Sequence, residues 1–247
     1  MASPTRPSPS GPPRVARKVR DRVDTVALVV RRVSIGEADL MVTLLTRERG
    51  LVTASARGAK RPASKLGALE PMHTLRVVVE IAPSEEVGKL REARIERARL
   101  GLLSEERRMN AAGALLRLAR RTTGPVDADP DAFDAVEAGL DAIAAAEPGR
   151  ARGSFAWAGA RLLQALGYGI ELSRCVRCGT PCPPSSPSFV DPVAGGLVCR
   201  ACGGGPILLS AEQRRMLAAW LEDGAVALEP RDEDAAIAIV ERAAEAR

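Results

Sequence analysis

Aromatic side chains are scarce in this chain, with three Phe, two Trp and one Tyr in 247 residues. All six (Phe133, Phe155, Trp157, Tyr168, Phe189 and Trp220) fall in the second half. Single-strand binders that stack bases on rings gain about 1–3 kcal/mol per base, and residues 21–100 cannot supply that contribution. Histidine occurs once, as His73, with no second His or Cys beside it, so it is read as structural rather than as a ligand or a general base. No apolar run approaches the roughly 18 residues that a membrane-spanning helix needs. Neither G-x4-G-K-[ST] nor G-x-G-x-x-G occurs, which leaves no predicted nucleoside-triphosphate or dinucleotide loop. Residues 1–20 are rich in proline and basic residues and lack the apolar segment of an export signal; they are expected to be a disordered basic tail. Without such a signal, five cysteines point to a reducing, cytoplasmic compartment, where paired Cys more often bind metal than form disulfides.

What is present is charge, unevenly placed. Residues 1–66 hold 14 Lys and Arg against 5 Asp and Glu, a net +9. Residues 67–100 balance at 6 against 6, and residues 101–247 hold 16 against 20, so the whole chain returns +5. A basic front on a mildly acidic remainder predicts that the front meets a polyanion.

The basic front has a definite grammar. Leu40–Thr46 and Leu51–Arg57 are rich in Val, Leu and Thr and are joined by Arg47-Glu48-Arg49-Gly50, the pattern of a β-hairpin. Arg57, Lys60, Arg61 and Lys65 follow, interleaved with Gly58, Pro62, Ser64 and Gly67, and no acid intervenes before Glu70. These four are the first candidates for phosphate contact, with Arg31, Arg32, Arg47 and Arg49 as second candidates. With Thr25–Arg31, Thr74–Ile81 and Val87–Ile95, five short strands fit before residue 100. That number suits a small Greek-key barrel of the OB or the SH3-like type.

After Leu100 the pattern turns helical. Ser104 is expected to cap a helix with Ala112, Leu115, Leu116 and Ala119 on its inner face. Asp129-Pro130 opens a second, carrying Phe133, Val136, Leu140 and Ile143, and a third spans about Ser154–Leu166. Ser210 and Gln213 form a capping-box pattern ahead of Met216, Leu217, Trp220 and Leu221, which are read as core. A last amphipathic segment starts near Asp232. Asp127, Asp129, Asp131 and Asp134 are read as helix-start acids, because the glycine and terminal glutamate of an EF-hand loop are missing.

Cys175, Cys178, Cys199 and Cys202 make a C-x2-C pair, a 20-residue gap and a second C-x2-C pair. Two such knuckles close a tetrahedral thiolate shell with no open position, which predicts structural Zn2+ rather than a Lewis-acid catalyst; an iron–sulfur cluster and a redox dithiol are the alternatives, and the duplicated knuckles without a thioredoxin-like βαβ context count against both. Gly179 and Gly203 suit the turn behind each knuckle. Arg174, Arg177 and Arg200 are expected to offset the negative centre. Cys182 lacks a partner at knuckle spacing and is read as a free thiol.

The stretch from Glu37-Ala38-Asp39-Leu40 through ARGAKRPASKLG to LEP resembles the N-terminal domain of the RecO family, the bacterial recombination mediators. LLQALGY, followed by CVRCG and DPVAGGLVCRAC, resembles the zinc-bearing helical domain of the same family. The resemblance implies an α+β multidomain chain: a tail at 1–20, an OB-type barrel at 21–100, and a helical domain at 101–247 with its zinc module at about 173–205. It also implies a non-enzymatic, cytoplasmic, nucleoid-associated mediator of DNA repair and recombination. Such a protein would bind single- and double-stranded DNA, anneal complementary strands and help load recombinase onto coated strands. Its implied partners are RecR, single-strand-binding protein and, indirectly, RecA. The competing readings are a zinc-containing DNA-processing enzyme such as a nuclease, and a zinc-dependent DNA-binding regulator.

Overall fold

The computed structural model describes residues 20–66, 69–82, 85–124, 128–224 and 228–246. Tail residues 1–19, Gly67 and Asp127 lie outside the described residues. Arg20, assigned to the tail from sequence, is anchored instead, with its guanidinium 2.7 Å from Glu85.

Five strands, β1 (Asp21–Ile35), β2 (Asp39–Thr46), β3 (Gly50–Ala56), β4 (Thr74–Ile81) and β5 (Val87–Arg97), close a barrel in the order β1-β2-β3-β5-β4. This is the OB arrangement, and it removes the SH3-like alternative. Neighbours are antiparallel except β3 and β5, which run parallel over Thr53–Ser55. β1 is about twice as long as expected because it serves two partners. Asp21–Leu28 pair with β4, Ala27–Ile35 pair with β2, and a register break between Val29 and Arg31 turns the strand between them. Its charged ends read as turns in the sequence. With no ring available, the barrel interior is filled by Ala27, Val29, Val42, Leu44, Ala54, Leu75, Val77, Val79 and Leu90, all buried. Gly50 closes the β2–β3 turn at φ +59°, a left-handed backbone that side chains resist.

Six α-helices follow among the described residues: α1 (Leu100–Leu103), α2 (Glu106–Thr122), α3 (Pro130–Ala145), α4 (Ala151–Ala165), α5 (Ala211–Glu222) and α6 (Pro230–Glu245). Ser104 does not cap α2. Its hydroxyl donates back to the Gly101 carbonyl at the end of α1, and α2 starts two residues later with no side-chain cap. Asp129 does cap α3, accepting from the Ala132 N–H at 2.9 Å, and Ser210 and Gln213 make the reciprocal capping box of α5. Leu115, Phe133, Leu140, Ile143, Leu162 and Val240 from α2, α3, α4 and α6 share one core. Gly139 permits the α3–α4 approach, since a Cβ there would lie 2.5 Å from that of Ala158.

Between α4 and α5 lies a small sheet that periodicity did not reveal. It is formed by β6 (Glu171–Cys175), β7 (Ser188–Asp191), β8 (Gly196–Val198) and β9 (Ile207–Leu209) in the order β6-β8-β7-β9. It has no separate core; Leu172, Val190, Leu197 and Leu209 join the helical one.

The barrel is fastened to α3 by charge. Asp134, Glu137 and Asp141, at i, i+3 and i+7, form one stripe. Arg47 grips both oxygens of Asp134 at 2.9 and 2.7 Å. Arg99, whose side chain is 2% exposed, meets Glu137 at 3.1 Å and Asp141 at 2.6 Å and donates to Thr74 and the Met72 carbonyl. Arg97 reaches the other oxygen of Asp141 at 2.7 Å, and the Thr74 hydroxyl donates to Glu137. The backbone N–H of Arg99 donates to Nδ1 of His73 at 3.1 Å, which requires that nitrogen to be unprotonated. Burial, and then the Arg99 charge, hold the His73 pKa below its ordinary 6.5.

Removing one member of a buried pair strands the other charges, at a cost of about 3–5 kcal/mol. Arg99→Ala is therefore expected to lower the urea midpoint by that equivalent; an unchanged midpoint would remove Arg99 from its role. Because the folded chain keeps His73 neutral, the unfolded chain binds the extra proton below pH 6.5, and stability falls as pH drops through that window. His73→Gln should flatten this part of a melting-temperature profile.

Candidate nucleic-acid interface and metal centre

The chain between β3 and β4 is held by its backbone while its cations stay exposed. Asp39 accepts from the Gly58 N–H at 2.7 Å, the Lys60 N–H donates to the Ala38 carbonyl at 3.0 Å, and the Ala93 N–H donates to the Lys65 carbonyl at 3.3 Å. The loop is thus stitched to the β1–β2 turn at one end and to β5 at the other. Asp39 is used as an anchor. Gly58 at φ +68° starts the bend. Ala63 also adopts a left-handed backbone, φ 60°, which costs a non-glycine residue about 1–2 kcal/mol. Leu66 and Leu69 are buried and pin the segment to the barrel core.

Arg57, Lys60, Arg61 and Lys65 are all exposed, and none has a carboxylate within 4.0 Å among the described residues. The second candidates divide. Arg31 and Arg49 are exposed and likewise unpaired, whereas Arg32 pairs with Glu70 at 2.5 Å and Arg47 is committed to Asp134. The Arg47 guanidinium holds Asp134 below the usual carboxylate range, mainly through its hydrogen bond. Arg47, a second candidate for phosphate contact, is thus already engaged by Asp134 of α3, a partner 87 residues away that no local pattern announces.

The four cysteines converge. Cys175 ends β6, Cys199 follows β8, and the sulfurs of Cys175, Cys178, Cys199 and Cys202 all lie within 4.8 Å of one another. A tetrahedral shell with metal–sulfur bonds of about 2.3 Å has an edge of about 3.8 Å, and Cys178 and Cys199 stand 3.8 Å apart. The donors therefore fit a metal ion. Backbone groups support the knuckles: the Cys199 N–H points at the Cys175 sulfur at 3.4 Å, and the Gly179 N–H donates to the Cys175 carbonyl at 2.8 Å. The first of these bonds is the main cause of the lowered Cys175 pKa, about 6. Cys202 is pushed up to about 12 by sharing hydrogen with the Cys199 and Cys178 sulfurs, the response of crowded thiols to losing a further proton. A cation reverses that pressure.

The flanking arginines serve the fold around this centre. Arg177 donates to the Cys202 carbonyl at 2.8 Å and pairs with Asp191 at 3.3 Å, Arg174 faces Glu171 at 3.7 Å, and Arg200 lies over the Phe189 ring at 5.8 Å. Cys182 stands outside the cluster, half-buried against the helical core, and burial raises its pKa. Arg214, 3% exposed, was not foreseen. It ties Cys182 to β7 by donating to the carbonyls of Cys182 and Ser186 and to the Ser188 hydroxyl.

An OB barrel with an unneutralised cationic loop, fastened to helices that carry a four-cysteine centre, defines an α+β class of protein. Residues 21–99 match the family described as "Recombination protein O N terminal", and residues 104–245 match "Recombination protein O C terminal". The chain belongs to this RecO family of DNA repair proteins. It is 35% identical over 186 residues to "DNA repair protein RecO" of Anaeromyxobacter sp. (strain K), covering 75% of this chain and 72% of that one. It is 36% identical over the same span to the protein of that name from Anaeromyxobacter dehalogenans (strain 2CP-C), and 32% identical over 182 residues to that of Nocardioides sp. (strain ATCC BAA-499 / JS614), where 71% of this chain and 72% of the relative are covered. No helix among the described residues is long and apolar enough to cross a membrane.

Cys199→Ser is expected to abolish metal content and to lower the melting transition of the helices while the barrel signal persists; full-strength melting without metal would contradict the site. Acidification should release the metal, since thiolates must be unprotonated to bind it.

Proposed function

We propose that this protein is a non-catalytic recombination mediator that binds single- and double-stranded DNA through the β3–β4 loop, anneals complementary strands and helps load recombinase onto strands coated by single-strand-binding protein. The observation that supports it most is the set Arg57, Lys60, Arg61 and Lys65, exposed and unpaired on a loop whose backbone is fixed at both ends. Such a loop meets phosphates without rearranging, and phosphates carry no base identity. The ring-free barrel supports a grip on backbones rather than bases, with arginine planes as its only stacking surfaces. Holding two polyanions against one cationic body screens their repulsion, which is all that annealing requires of a surface.

The domain division at residue 100, the nucleoid location and the partners RecR, single-strand-binding protein and RecA belong to the same reading and rest on family membership. The ion at the four cysteines is proposed to be Zn2+, given the all-thiolate donor set and the tetrahedral edge. Its role is structural, because four protein ligands leave no site for water.

If about five phosphates are contacted, the logarithm of single-strand affinity falls against the logarithm of salt with a slope near −3.5. Changing Lys60, Arg61 and Lys65 together to Ala should reduce that slope by about 2 and slow annealing, with fold and metal content intact. Unaltered affinity in this variant would refute the loop assignment. Incubating labelled single strands with the protein and Mg2+ tests the nuclease reading directly, since shortened products would replace the mediator with an enzyme.

A further inference from the structure

Cations without an ion pair also occur outside the loop, and three of them gather on one helix. On α2, Arg117, Arg120 and Arg121 are exposed and unpaired among the described residues. They line one wall of a cleft of about 440 Å³ that has Phe155 at its side and Glu241 and Glu245 from α6 opposite. The favourable field at a helix C-terminus accounts for basic residues in its last turn, but not for Arg117 one turn earlier. Nor does it account for a contribution from the barrel. The Leu51 N–H donates to the Gly124 carbonyl at 3.4 Å, so the β2–β3 turn bearing unpaired Arg49 abuts the end of the helix bearing Arg121. That contact brings the turn of Arg49 to the end of the helix that carries the other three arginines. β3 separates it from the proposed DNA loop: Leu51 marks one end, Arg57 the other, about 20 Å apart at some 3.3 Å per residue.

We propose that Arg49, Arg117, Arg120 and Arg121 form a second nucleic-acid site that holds the phosphate backbone of a second strand while the β3–β4 loop holds the first. This rests on the annealing function proposed above and gives it a geometry of two strands on one chain. The site takes a nucleic-acid backbone rather than an acidic peptide for two reasons. Glu241 and Glu245 repel any anion that enters the cleft, so the ligand must lie along the arginines outside it, as an extended phosphate backbone does and a short peptide seated in the cleft does not. The surface also continues onto Arg49 of the barrel, which a long polyanion reaches.

The test counts strands on the full-length, metal-loaded protein. Native mass spectrometry with a six-nucleotide oligothymidylate at low salt should find two strands per chain. R117A/R120A/R121A should take one strand, anneal complementary oligonucleotides at least ten-fold more slowly and lose about 2 from the magnitude of the salt slope. R117K/R120K/R121K should restore two strands, which separates charge from packing. Two strands on the alanine variant, or annealing at the original rate, overturns the second site. An Asp/Glu hexapeptide that binds the unmodified chain but not the alanine variant, while both take two strands, assigns the surface to peptide and also overturns it. Binding of no oligonucleotide by the unmodified protein would instead remove the mediator function itself.

Discussion

A guanidinium withdrawn from water sets the geometry of the rest. Arg99 ends the barrel and begins the helical part, and its side chain is 2% exposed. It can stay charged there only because Asp141, Glu137, the Thr74 hydroxyl and the Met72 carbonyl replace its hydration. Those partners come from both sides of the seam, so satisfying one side chain fixes α3 against β4. The same stripe of α3 takes Arg47 and Arg97 as well. Packing continues the attachment: Leu28, Val30 and Leu45 leave the barrel's own cluster and are buried with the helices. The two parts therefore present their cations in a fixed relation.

Local signals were legible in the sequence where the physics is local. Strand number, the β2–β3 turn, the αL glycines, the Asp129 cap, the Ser210 box and the cysteine spacing each depend on a few adjacent residues, and each stands in the structure. What the sequence does not announce involves partners distant in the chain. The ion pair that engages Arg47 is invisible locally because Asp134 is 87 residues away. β1 looked short because its polar ends gain their strand character from β4 and β2 rather than from their own composition. Ser104 offered a reasonable cap and was used by the preceding turn. The knuckle sheet escaped notice because strands of three to five residues do not establish a period.

That sheet also shows why a chain would keep a four-thiolate centre with no open coordination position. Its inner residues, Leu172, Val190, Leu197 and Leu209, contribute to a core owned by the helices, and its outer parts are turns. Four aliphatic side chains do not hold thirty-odd residues of loop in place against the roughly 1–2 kcal/mol of backbone entropy that each ordered residue loses. One ion bound by both knuckles would cross-link them and remove much of that freedom at once. Arg214 and Arg177 complete the attachment by donating to carbonyls that the short strands leave unpaired. The four cysteines thus stand where an ion would add the most to the hold on this sheet.

The pairing state of the arginines is the most informative functional signal in the molecule. Arg20, Arg22, Arg76, Arg91, Arg97 and Arg99 all have carboxylate partners, so this chain readily supplies counter-charges where folding needs them. Where Arg57, Lys60, Arg61 and Lys65 gather, and again where Arg117, Arg120 and Arg121 gather, no acid is within ion-pair distance among the described residues. Like charges held together repel and destabilise the folded state; no acid stands among the loop cations, and on α2 the nearest, Glu241 and Glu245, share the cleft without closing an ion pair. A polyanion that binds there relieves the repulsion it finds, so its binding and the stability of the fold are linked. Exposure alone would not have distinguished these residues, since Arg22 and Arg152 are more than 60% exposed yet paired. Clustering adds what exposure and a missing counter-charge, shared among the described residues by Arg94, Arg161, Arg215 and Arg242, do not supply.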